Sequence, residues 1–250
     1  KKRFHQYDNH RSFIIRYLLS KKISNVMRGS EVVIVGNNYL ADYASAAGAK
    51  RVEVVPTVLA LKSYPVPCQR SRADAVFKIG WIGSPSTAKY LKAIAPALAE
   101  VCSGGQARVV LIGSGPCSLC GVPIDIIEWS EETEVAELNQ IDVGIMPLPD
   151  ELWARGKCGF KLIQYMACGL PVVASPVGIN REIVEHEHNG YLTTDHASWV
   201  DALTELRDNK AIGEKMGRRG RAIVESNYNL EISATKLLGV LNATVSLIRD

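Results

Sequence analysis

Short apolar runs alternate with stretches of helical periodicity along most of the chain. EVVIVGN (31–37) is short, rich in β-branched residues and closed by Gly-Asn, so it predicts a buried strand. NYLADYASAAGA predicts a helix that begins at an asparagine cap and ends at glycine, and RVEVVPTVLA returns to a strand pattern. A strand, a helix and a second strand in this order predict parallel pairing through a right-handed crossover.

A longer series of the same kind follows a stretch without apolar periodicity. Residues 62–74 hold two prolines and several charges, so this stretch is predicted to be a linker. Beyond it, helical patterns separate the strand patterns FKIGWIG, ARVVLIGSG, IDIIEWS, DVGIMPL, PVVASP and GYLTT, and the chain is helical in pattern from residue 197 onward. Repeated alternation with short connections predicts an α/β fold with an open, doubly wound parallel sheet.

The pattern divides the chain into two parts of unequal completeness. Residues 75–228 contain enough strands and helices for a complete Rossmann-like domain. Residues 1–61 contain little more than one strand–helix–strand unit, which is too small for an independent core. They are therefore expected to be the remnant of a second α/β domain whose beginning lies outside this chain. Residues 229–250 have an amphipathic pattern and predict a C-terminal helix.

Composition narrows the class of protein without identifying it. Apolar residues make up 47% of the chain and charged residues 22%, as in an ordinary globular protein, and no apolar run is long enough to cross a bilayer. The N-terminus does not resemble a signal peptide, so a cytoplasmic location is the default expectation. Cys117 and Cys120 form a single CxxC without a second ligand pair, which favours loop cysteines and leaves a metal knuckle or redox pair open.

The net charge of +3 is unevenly distributed along the chain. Residues 1–22 hold seven Lys or Arg residues and one acid, Asp8. A solvated face is the favoured interpretation, and contact with anionic lipid at the inner face of the membrane is the alternative. No aromatic platform is interleaved with these charges, so a nucleic-acid partner is not expected.

Two glycine-rich turns follow predicted strands, at the positions where an open parallel sheet binds its ligands. Gly113 and Gly115 are followed by Ser118 where the dinucleotide fingerprint needs a third glycine, and no helical pattern opens there. This mismatch argues against a dehydrogenase. A plain strand-end turn and a wall of a nucleotide pocket both remain open for the segment.

The other turn, GWIGSPSTAKYL, is better suited to phosphate. Gly83 ends a strand, Ser84 and Pro85 form a tight turn, and Ser86 or Thr87 can cap the helix that follows. Glycine lets a diphosphate approach the backbone, and hydroxyl and free N–H groups can bind its oxygens. A purely structural turn is the alternative.

Three positive charges cluster near the start of the predicted helix in RGKCGFKLIQYMACG. The helix dipole makes Arg155, Lys157 and Lys161 unfavourable there, whereas a bound diphosphate would stabilise them. Lys157, Lys161 and Gln164 have i, i+4, i+7 spacing and share one face if the helix begins by Lys157. Two ammonium groups followed by an amide suit a diphosphate followed by a ribose hydroxyl. A solvated basic helix start is the alternative.

The same region resembles a known family. FKLIQYMACGLPVVASPVGIN is similar to the donor-site signature of GT-B glycosyltransferases, especially family 4, and GWIGSPSTAKYL, IDVGIMPLPD and NGYL resemble further segments of bacterial members. The resemblance covers nearly all of 77–228. It implies a donor-binding C-terminal GT-B domain over 75–228, an acceptor-domain remnant over 1–61, and a helix over 229–250 that crosses back toward the N-terminal part.

The resemblance also implies an activity. A family member transfers a sugar from a UDP- or GDP-sugar to a saccharide or lipid-linked saccharide acceptor, with retention of anomeric configuration, in bacterial polysaccharide or glycoconjugate synthesis. No metal and no other cofactor is implied. A non-catalytic nucleotide-sugar-binding module and a sugar-nucleotide epimerase of the same fold remain alternatives.

Roles for single residues follow from the resemblance. Lys161 corresponds to the lysine that neutralises the donor diphosphate, and Gln164 stands where the family has the second glutamate of its pair, which holds the ribose hydroxyls. The first glutamate would fall at Gly156 and is absent. The expected site residues are Gly83, Ser84, Thr87, Lys157 and Lys161 for the diphosphate, Gln164, Trp129 and Ser130 for the ribose and base, and Phe160, Gly178, Ile179 and Asn180 for the sugar or phosphate loop.

Catalytic residues cannot be named from the sequence, because the family's acceptor side comes largely from the first domain. Asp150, Glu131 and Glu132 are candidates for contacts to the base or sugar, with ordinary turn and helix-start acids as the favoured interpretation. His5 and His10 are expected at the surface. The sequence therefore predicts a donor-binding half-site.

Overall fold

The computed structural model of the chain describes residues 12–14, 21–65 and 76–249. Most of the basic N-terminal stretch lies outside these residues, as do His5, His10 and most of the expected linker 62–74. The N-terminal group of elements comprises α1 (Lys22–Gly29), β1 (Val33–Val35), α2 (Asn38–Ala46), β2 (Val52–Val54) and a 3-10 turn (Leu61–Ser63). Strands β1 and β2 pair in parallel.

The larger group of elements begins at Phe77. It comprises β3 (Phe77–Ile82), α3 (Pro85–Ala88), a 3-10 helix (Lys89–Ile94), α4 (Ala95–Cys102), β4 (Ala107–Ile112), β5 (Ile124–Ile127), α5 (Glu134–Leu138), β6 (Val143–Met146), α6 (Leu152–Arg155), α7 (Phe160–Ala167), β7 (Val172–Ala174), α8 (Asn180–Ile183), β8 (Gly190–Leu192), α9 (His196–Asp208), α10 (Lys210–Asn227) and α11 (Leu230–Arg249).

Six strands of this group form one sheet in the order β5-β4-β3-β6-β7-β8. Every neighbouring pair is parallel. Numbered along the sheet's own chain segment, this is the order 3-2-1-4-5-6 of doubly wound Rossmann folds. The predicted α/β fold class is thereby confirmed. The strand order reverses between β3 and β6, and ligands of such sheets bind at that point.

Helices cover both faces of the six-stranded sheet. On one face α4 and α9 pack over Ile79, Trp81 and Leu111, and on the other face α7 and α10 pack over Ile82 and Ile112. Successive residues of a strand point to opposite faces, and here both faces are buried. This explains why β3 and β4 are continuous apolar runs in the sequence and not alternating ones.

Two predicted elements are shorter in the structure. The single helix expected over TAKYLKAIAPALAEVCSG is divided into α3, a 3-10 helix and α4, because Pro96 has no N–H to continue a helix and is tolerated only in the first turn of α4. The strand expected over RVEVVPTVLA ends at Val54. The Val55 N–H still donates to Val35 O at 2.9 Å, and Pro56 then ends the ladder.

The N-terminal group contacts the loop before α7 and the C-terminal helix α11 of the larger group. Asn37 caps α2, since its Oδ1 accepts from the Leu40 N–H at 2.9 Å, and its Nδ2 donates to Lys157 O at 3.0 Å. Lys236 of α11 donates to Val54 O at 2.8 Å, so the C-terminal helix reaches β2.

The domain boundaries themselves stay predictions. None of the helices in the described part is long and apolar enough to cross a membrane.

The Tyr165 side chain bridges β3 and β6 beyond the residues where these two strands pair with each other. These strands pair over only two residues each. Beyond the paired residues, the Ile82 N–H donates to Tyr165 Oη at 3.0 Å, and this hydroxyl donates to Ile145 O at 3.3 Å. The ring fits because Gly144 has no side chain, and a Cβ there would overlap it. Helix α7 is therefore fastened directly to the carboxyl ends of both strands.

Candidate functional site

A cleft of about 590 Å³ opens at the carboxyl ends of β3 and β6, at the point where the strand order reverses. The turn after β3, the loop before α7 and the first two turns of α7 form most of its wall. Its lining residues are Ile82, Gly83, Ser84, Pro85, Gly113, Trp129, Glu134, Met146, Lys157, Cys158, Gly159, Phe160, Lys161 and Gln164.

Lys161 lies in the first turn of α7, and its side chain lines the cleft. Its Nζ is 4.0 Å from the centre of the Trp81 ring, a cation–π contact with an indole that is almost fully buried. No acid among the described residues forms an ion pair with this ammonium group. Burial, and then the charge of Lys157, lower the pKa of Lys161 to about 7. The site thus holds a cation without a protein counterion.

Gly83 makes room for this ammonium group. A Cβ at position 83 would overlap Lys161 Nζ and would lie 2.7 Å from the edge of the Trp81 ring. The Gly83 N–H is bonded to Ile112 O at 2.9 Å, so the turn cannot shift away without losing a sheet hydrogen bond. Glycine is required here by space, because the backbone, the indole and the lysine meet at one point.

Lys157 lies in the loop before α7 and not on the helix. Helix α7 begins at Phe160, after Gly159 in the left-handed conformation (φ 69°). The condition for a shared helical face of Lys157, Lys161 and Gln164, a helix that begins by Lys157, is therefore not met. All three side chains nevertheless line the cleft, because the loop turns back over the start of the helix.

The N-terminal group holds this loop. Asn37 is buried and donates both to Lys157 O at 3.0 Å and to Cys158 Sγ at 3.8 Å. Cys158 also lines a second cavity of about 290 Å³, which lies between the N-terminal group and the larger one. Burial, and then the charge of Lys89, lower the pKa of Lys157. A second cation is thus held near Lys161 by contacts from the N-terminal part of the chain.

Arg155, the third cation of the segment RGKCGFK, pairs with Asp150 outside the cleft. It ends α6 and donates to Asp150, from Nε at 2.6 Å and from a terminal nitrogen at 2.9 Å. This pairing lowers the pKa of Asp150 and raises that of Arg155. Neither residue lines the cleft, and neither do the exposed Glu131 and Glu132. The idea that three cations face one diphosphate is therefore wrong for Arg155.

A hydrogen-bonded cluster around Glu134 forms another part of the cleft wall. Gln164 Nε2 donates to Glu134 Oε1 at 2.7 Å and to Tyr64 Oη at 3.2 Å, and Tyr64 Oη donates to the same Oε1 at 2.7 Å. Trp129 Nε1 donates to Glu134 Oε2 at 2.6 Å. The sequence does not identify Glu134 or Tyr64 as site residues, because no local pattern marks them. The one signal in the sequence is the resemblance, which implies a glutamate at the position where Gln164 stands.

The turn after β3 differs in detail from its prediction. Ser84, and not Ser86 or Thr87, occupies the cap position of α3, and its side chain makes no capping hydrogen bond. Ser84 Oγ is instead 2.9 Å from Ser86 Oγ, and Thr87 Oγ1 donates to Ser84 O at 3.0 Å. Ser84 lines the cleft, whereas Thr87 does not. The hydroxyl of Ser84 is thus the one placed to meet a ligand.

The remaining expected residues are divided between the cleft and its surroundings. Phe160 lines the cleft and is 40% exposed. Ser130 bonds to Thr133 at the start of α5 and does not line it. Gly178 packs against the backbone of Arg155, and Ile179 lines the second cavity.

Asn180 and Gly113 complete the set. Asn180 is fully buried, and its Nδ2 donates to Ser175 O at 3.0 Å. Its expected contact with the sugar or phosphate stays a prediction. Gly113 lines the cleft, which favours the pocket-wall interpretation of the second glycine turn.

Cys117 and Cys120 are free thiols. Within the described ranges, no group of three or more His, Cys, Asp or Glu residues is placed to hold a metal ion. The lack of a metal requirement stays a prediction.

Comparison with known proteins identifies the family. The profile described as "Glycosyl transferases group 1" matches residues 76–209, more than half of the chain. The chain therefore belongs to the group 1 glycosyltransferase family. The matched range includes every lining residue of the cleft.

Relatives and solved structures agree with this assignment. N-acetyl-alpha-D-glucosaminyl L-malate synthase of Bacillus anthracis is 26% identical over 153 residues, which cover 57% of this chain and 39% of the relative. The structure of Anabaena HepE in complex with UDP has a TM-score of 0.75 and 16% identity, over 96% of this chain and 71% of that one. Sucrose-phosphate synthase from Thermosynechococcus elongatus has a TM-score of 0.73 and 18% identity, over 96% and 64%.

The two solved structures are less than 25% identical to this chain, and what they share with it is the fold. The match to the curated relative spans well under half of that protein's length.

Proposed function

We propose that the cleft binds the nucleoside diphosphate of a sugar donor, and that the protein transfers the sugar to a saccharide or lipid-linked saccharide acceptor in bacterial glycoconjugate synthesis. Family membership supports the reaction class. The Anabaena protein was solved with UDP and with UDP-glucose, and the Bacillus relative is named N-acetyl-alpha-D-glucosaminyl L-malate synthase. These names favour UDP over GDP as the nucleotide.

The uncompensated charge of Lys161 is the observation that carries this proposal. Its ammonium group is largely withdrawn from water, contacts an indole and has no acidic partner in the described chain. Burying an unpaired charge is costly, as its lowered pKa reflects. A diphosphate placed between Lys161, Lys157 and the turn at Gly83 would supply the missing counterion and keep Lys161 protonated.

Charge stabilisation is also what the reaction needs. When the bond between the sugar and the diphosphate breaks, negative charge develops on the leaving diphosphate. Lys161, Lys157 and the Ser84 hydroxyl line the same cleft, and in this proposal they stabilise that charge with little reorganisation in the transition state. Retention of anomeric configuration and independence from metal are part of the proposal, as the family resemblance implies.

Binding of the donor is tested by calorimetric titration of the whole chain with UDP and GDP. We expect Lys161→Ala to weaken nucleoside diphosphate binding at least tenfold, about 1.4 kcal/mol, because it removes the charge nearest the ligand. Lys215→Ala, which removes an exposed lysine of α10 away from the cleft, is the matched control and should bind as wild type does. An unchanged dissociation constant in Lys161→Ala would contradict the proposed site.

Turnover separates transfer from the two alternatives. Incubation with UDP-sugars and an acceptor extract should release UDP only when acceptor is present, and the anomeric proton signal of the product should show retention. Interconversion of the sugar without acceptor would indicate an epimerase. Binding without any turnover would indicate a non-catalytic nucleotide-sugar-binding module.

A further inference from the structure

We propose that Glu134, beside Gln164 at the cleft wall, provides the carboxylate that binds a ribose hydroxyl of the donor. This inference rests on the proposed function, because it concerns the nucleoside half of the same cleft. Its contacts are those of the cluster formed by Tyr64, Trp129, Glu134 and Gln164.

The position of Glu134 relative to Lys161 suits a nucleoside. Lys161 and Gln164 are three residues apart on α7, so they lie on one face of the helix, roughly 5 Å apart along its axis. Glu134 accepts from Gln164 at 2.7 Å and therefore lies beside that residue at the cleft wall. A ligand whose diphosphate contacts Lys161 would place its next group, the ribose, beside Glu134.

Gln164 is already committed within the protein. Only 4% of its surface is exposed, and its Nε2 donates to both Glu134 and Tyr64. A neutral amide also binds a hydroxyl less strongly than a carboxylate does. Gln164 therefore orients Glu134, and Glu134 carries the charge that meets the ligand.

Glu134 retains capacity for one more hydrogen bond. Oε1 accepts from Gln164 and Tyr64, whereas the partner of Oε2 within the described chain is Trp129. A carboxylate has about four acceptor positions, so Oε2 keeps one for a hydroxyl donor. The three protein donors hold the carboxylate in one orientation, which lowers the entropy cost of binding a ribose.

Trp129 extends this arrangement toward the base. Its indole is 50% exposed and lines the cleft, while its N–H is fixed by Glu134. A fixed, exposed ring offers a stacking surface for a base. The three parts of a nucleoside diphosphate thus meet Trp129, Glu134 and Lys161 in turn.

The test measures discrimination between nucleotides with and without ribose hydroxyls. Dissociation constants of UDP, 2′-deoxy-UDP and 3′-deoxy-UDP are compared in wild type, Glu134→Gln and the exchange variant Glu134→Gln with Gln164→Glu. Glu132→Gln, which alters an exposed acid just before α5 that does not line the cleft, is the matched control. The exchange variant keeps one carboxylate hydrogen-bonded to one amide, so it preserves the cluster even if the single variant folds poorly.

We expect wild type and Glu132→Gln to prefer UDP over at least one deoxy analogue by about tenfold, since a hydrogen bond to a charged group is lost with the hydroxyl. In Glu134→Gln this ratio should fall to about twofold or less, and the exchange variant should recover most of it. A merely structural role would weaken all three nucleotides equally and leave the ratio unchanged, which would overturn the inference. A ratio near one in wild type, or in a folded exchange variant, would overturn it as well.

The proposed function fails in a different way. It fails if wild type binds no nucleoside diphosphate, and that result would remove both proposals. Tight binding of UDP and 2′- and 3′-deoxy-UDP alike would leave the diphosphate site standing and remove Glu134 alone.

Discussion

Two regions of the cleft are prepared for a ligand in opposite ways. Around Lys161 and Lys157, two partly buried cations have no acidic partner among the described residues, and burial lowers the pKa of each. Around Glu134, the side chains of Tyr64, Trp129 and Gln164 donate to the carboxylate, and these three donors orient it. The first region is in need of a counterion before the ligand arrives. The second already holds its carboxylate in one orientation and keeps one acceptor position for a hydroxyl of the ligand.

This difference suggests separate contributions: the cations would set the affinity for a diphosphate, and the carboxylate would set the selectivity for a ligand with hydroxyl groups. An unpaired cation responds strongly to any diphosphate, whichever nucleoside carries it. An oriented carboxylate distinguishes ligands that offer a hydroxyl from those that do not. Substitutions in the two regions should therefore have effects of different kinds as well as different sizes.

Gly83→Ala should produce the largest effect. The added methyl group overlaps the position of Lys161 Nζ and lies close to the buried Trp81 ring, so the lysine must leave its place. We expect UDP binding to weaken by more than tenfold, with the preference for UDP over its deoxy analogues retained. Titration calorimetry on wild type and variant measures both quantities.

Gly239→Ala is the matched control for that substitution. A Cβ at position 239 of α11 meets no atom within 4 Å, so affinity should not change. Wild-type affinity in Gly83→Ala would mean that the ligand does not need Lys161 where the structure places it.

A change of pH should have the second largest effect on the affinity for UDP. The free protein holds Lys161 with a pKa of about 7, and a diphosphate favours its protonated form. Above pH 7 the free lysine loses its proton, so binding must take up a proton and affinity should fall, by up to about tenfold per pH unit. Below pH 7 the lysine is already charged, and this contribution to affinity is complete.

Titrations of UDP between pH 7 and 9 measure this slope, and buffers of different ionisation enthalpy reveal the proton uptake. Lys161→Met should bind weakly and with a flatter pH profile. If wild type shows the same flat profile, the lysine is not coupled to the ligand.

Asn37→Ser should have a moderate effect. Serine preserves a cap for α2 but is too short to reach Lys157 O, so the loop before α7 loses a tie to the N-terminal group. We expect UDP affinity to fall about threefold, equivalent to part of one hydrogen bond. Asn38→Ala, which removes instead the exposed hydrogen bond from Asn38 to Glu182 at 3.3 Å, is the comparison, and an equal loss there would mean that the tie to Lys157 has no particular importance.

Arg155→Gln should have the smallest effect. Its guanidinium is paired with Asp150 at the surface and does not line the cleft. We expect the dissociation constant for UDP to change by less than about twofold, since exposed pairs contribute little. A loss comparable to that of Lys161→Ala would show that all three cations of the basic segment act on the ligand.

The two regions were not equally accessible to prediction from sequence. Lys161, Gly83 and Ser84 stand in short motifs whose charge and glycine placement already suit a diphosphate, and the parallel sheet follows from apolar runs. Whether the helix begins by Lys157 does not follow from the sequence, because the left-handed turn at Gly159 leaves no mark in the periodicity. Local sequence patterns therefore indicate Lys161, Gly83 and Ser84 as site residues, but they do not give the backbone conformation around Lys157.

The Glu134 cluster depends on contacts that no local pattern contains. Tyr64 and Gln164 are separated by 100 residues, and Glu134 and Gln164 by 30. Tyr64 falls in the stretch expected to be a linker, and Glu134 reads as an ordinary acid in the first turn of a helix. Only the packing of α5 and the 3-10 turn against α7 brings these side chains together.

The hydroxyl of Tyr165 makes the hydrogen exchange of one strand amide, that of Ile82, depend on a helix. Most strand amides are shielded from hydrogen exchange by the next strand and become exposed when the sheet opens. The Ile82 amide is held by Tyr165 Oη, a side chain of the helix that also carries Lys161. Deuterium uptake at this single position therefore follows how firmly α7 is held against the ends of β3 and β6.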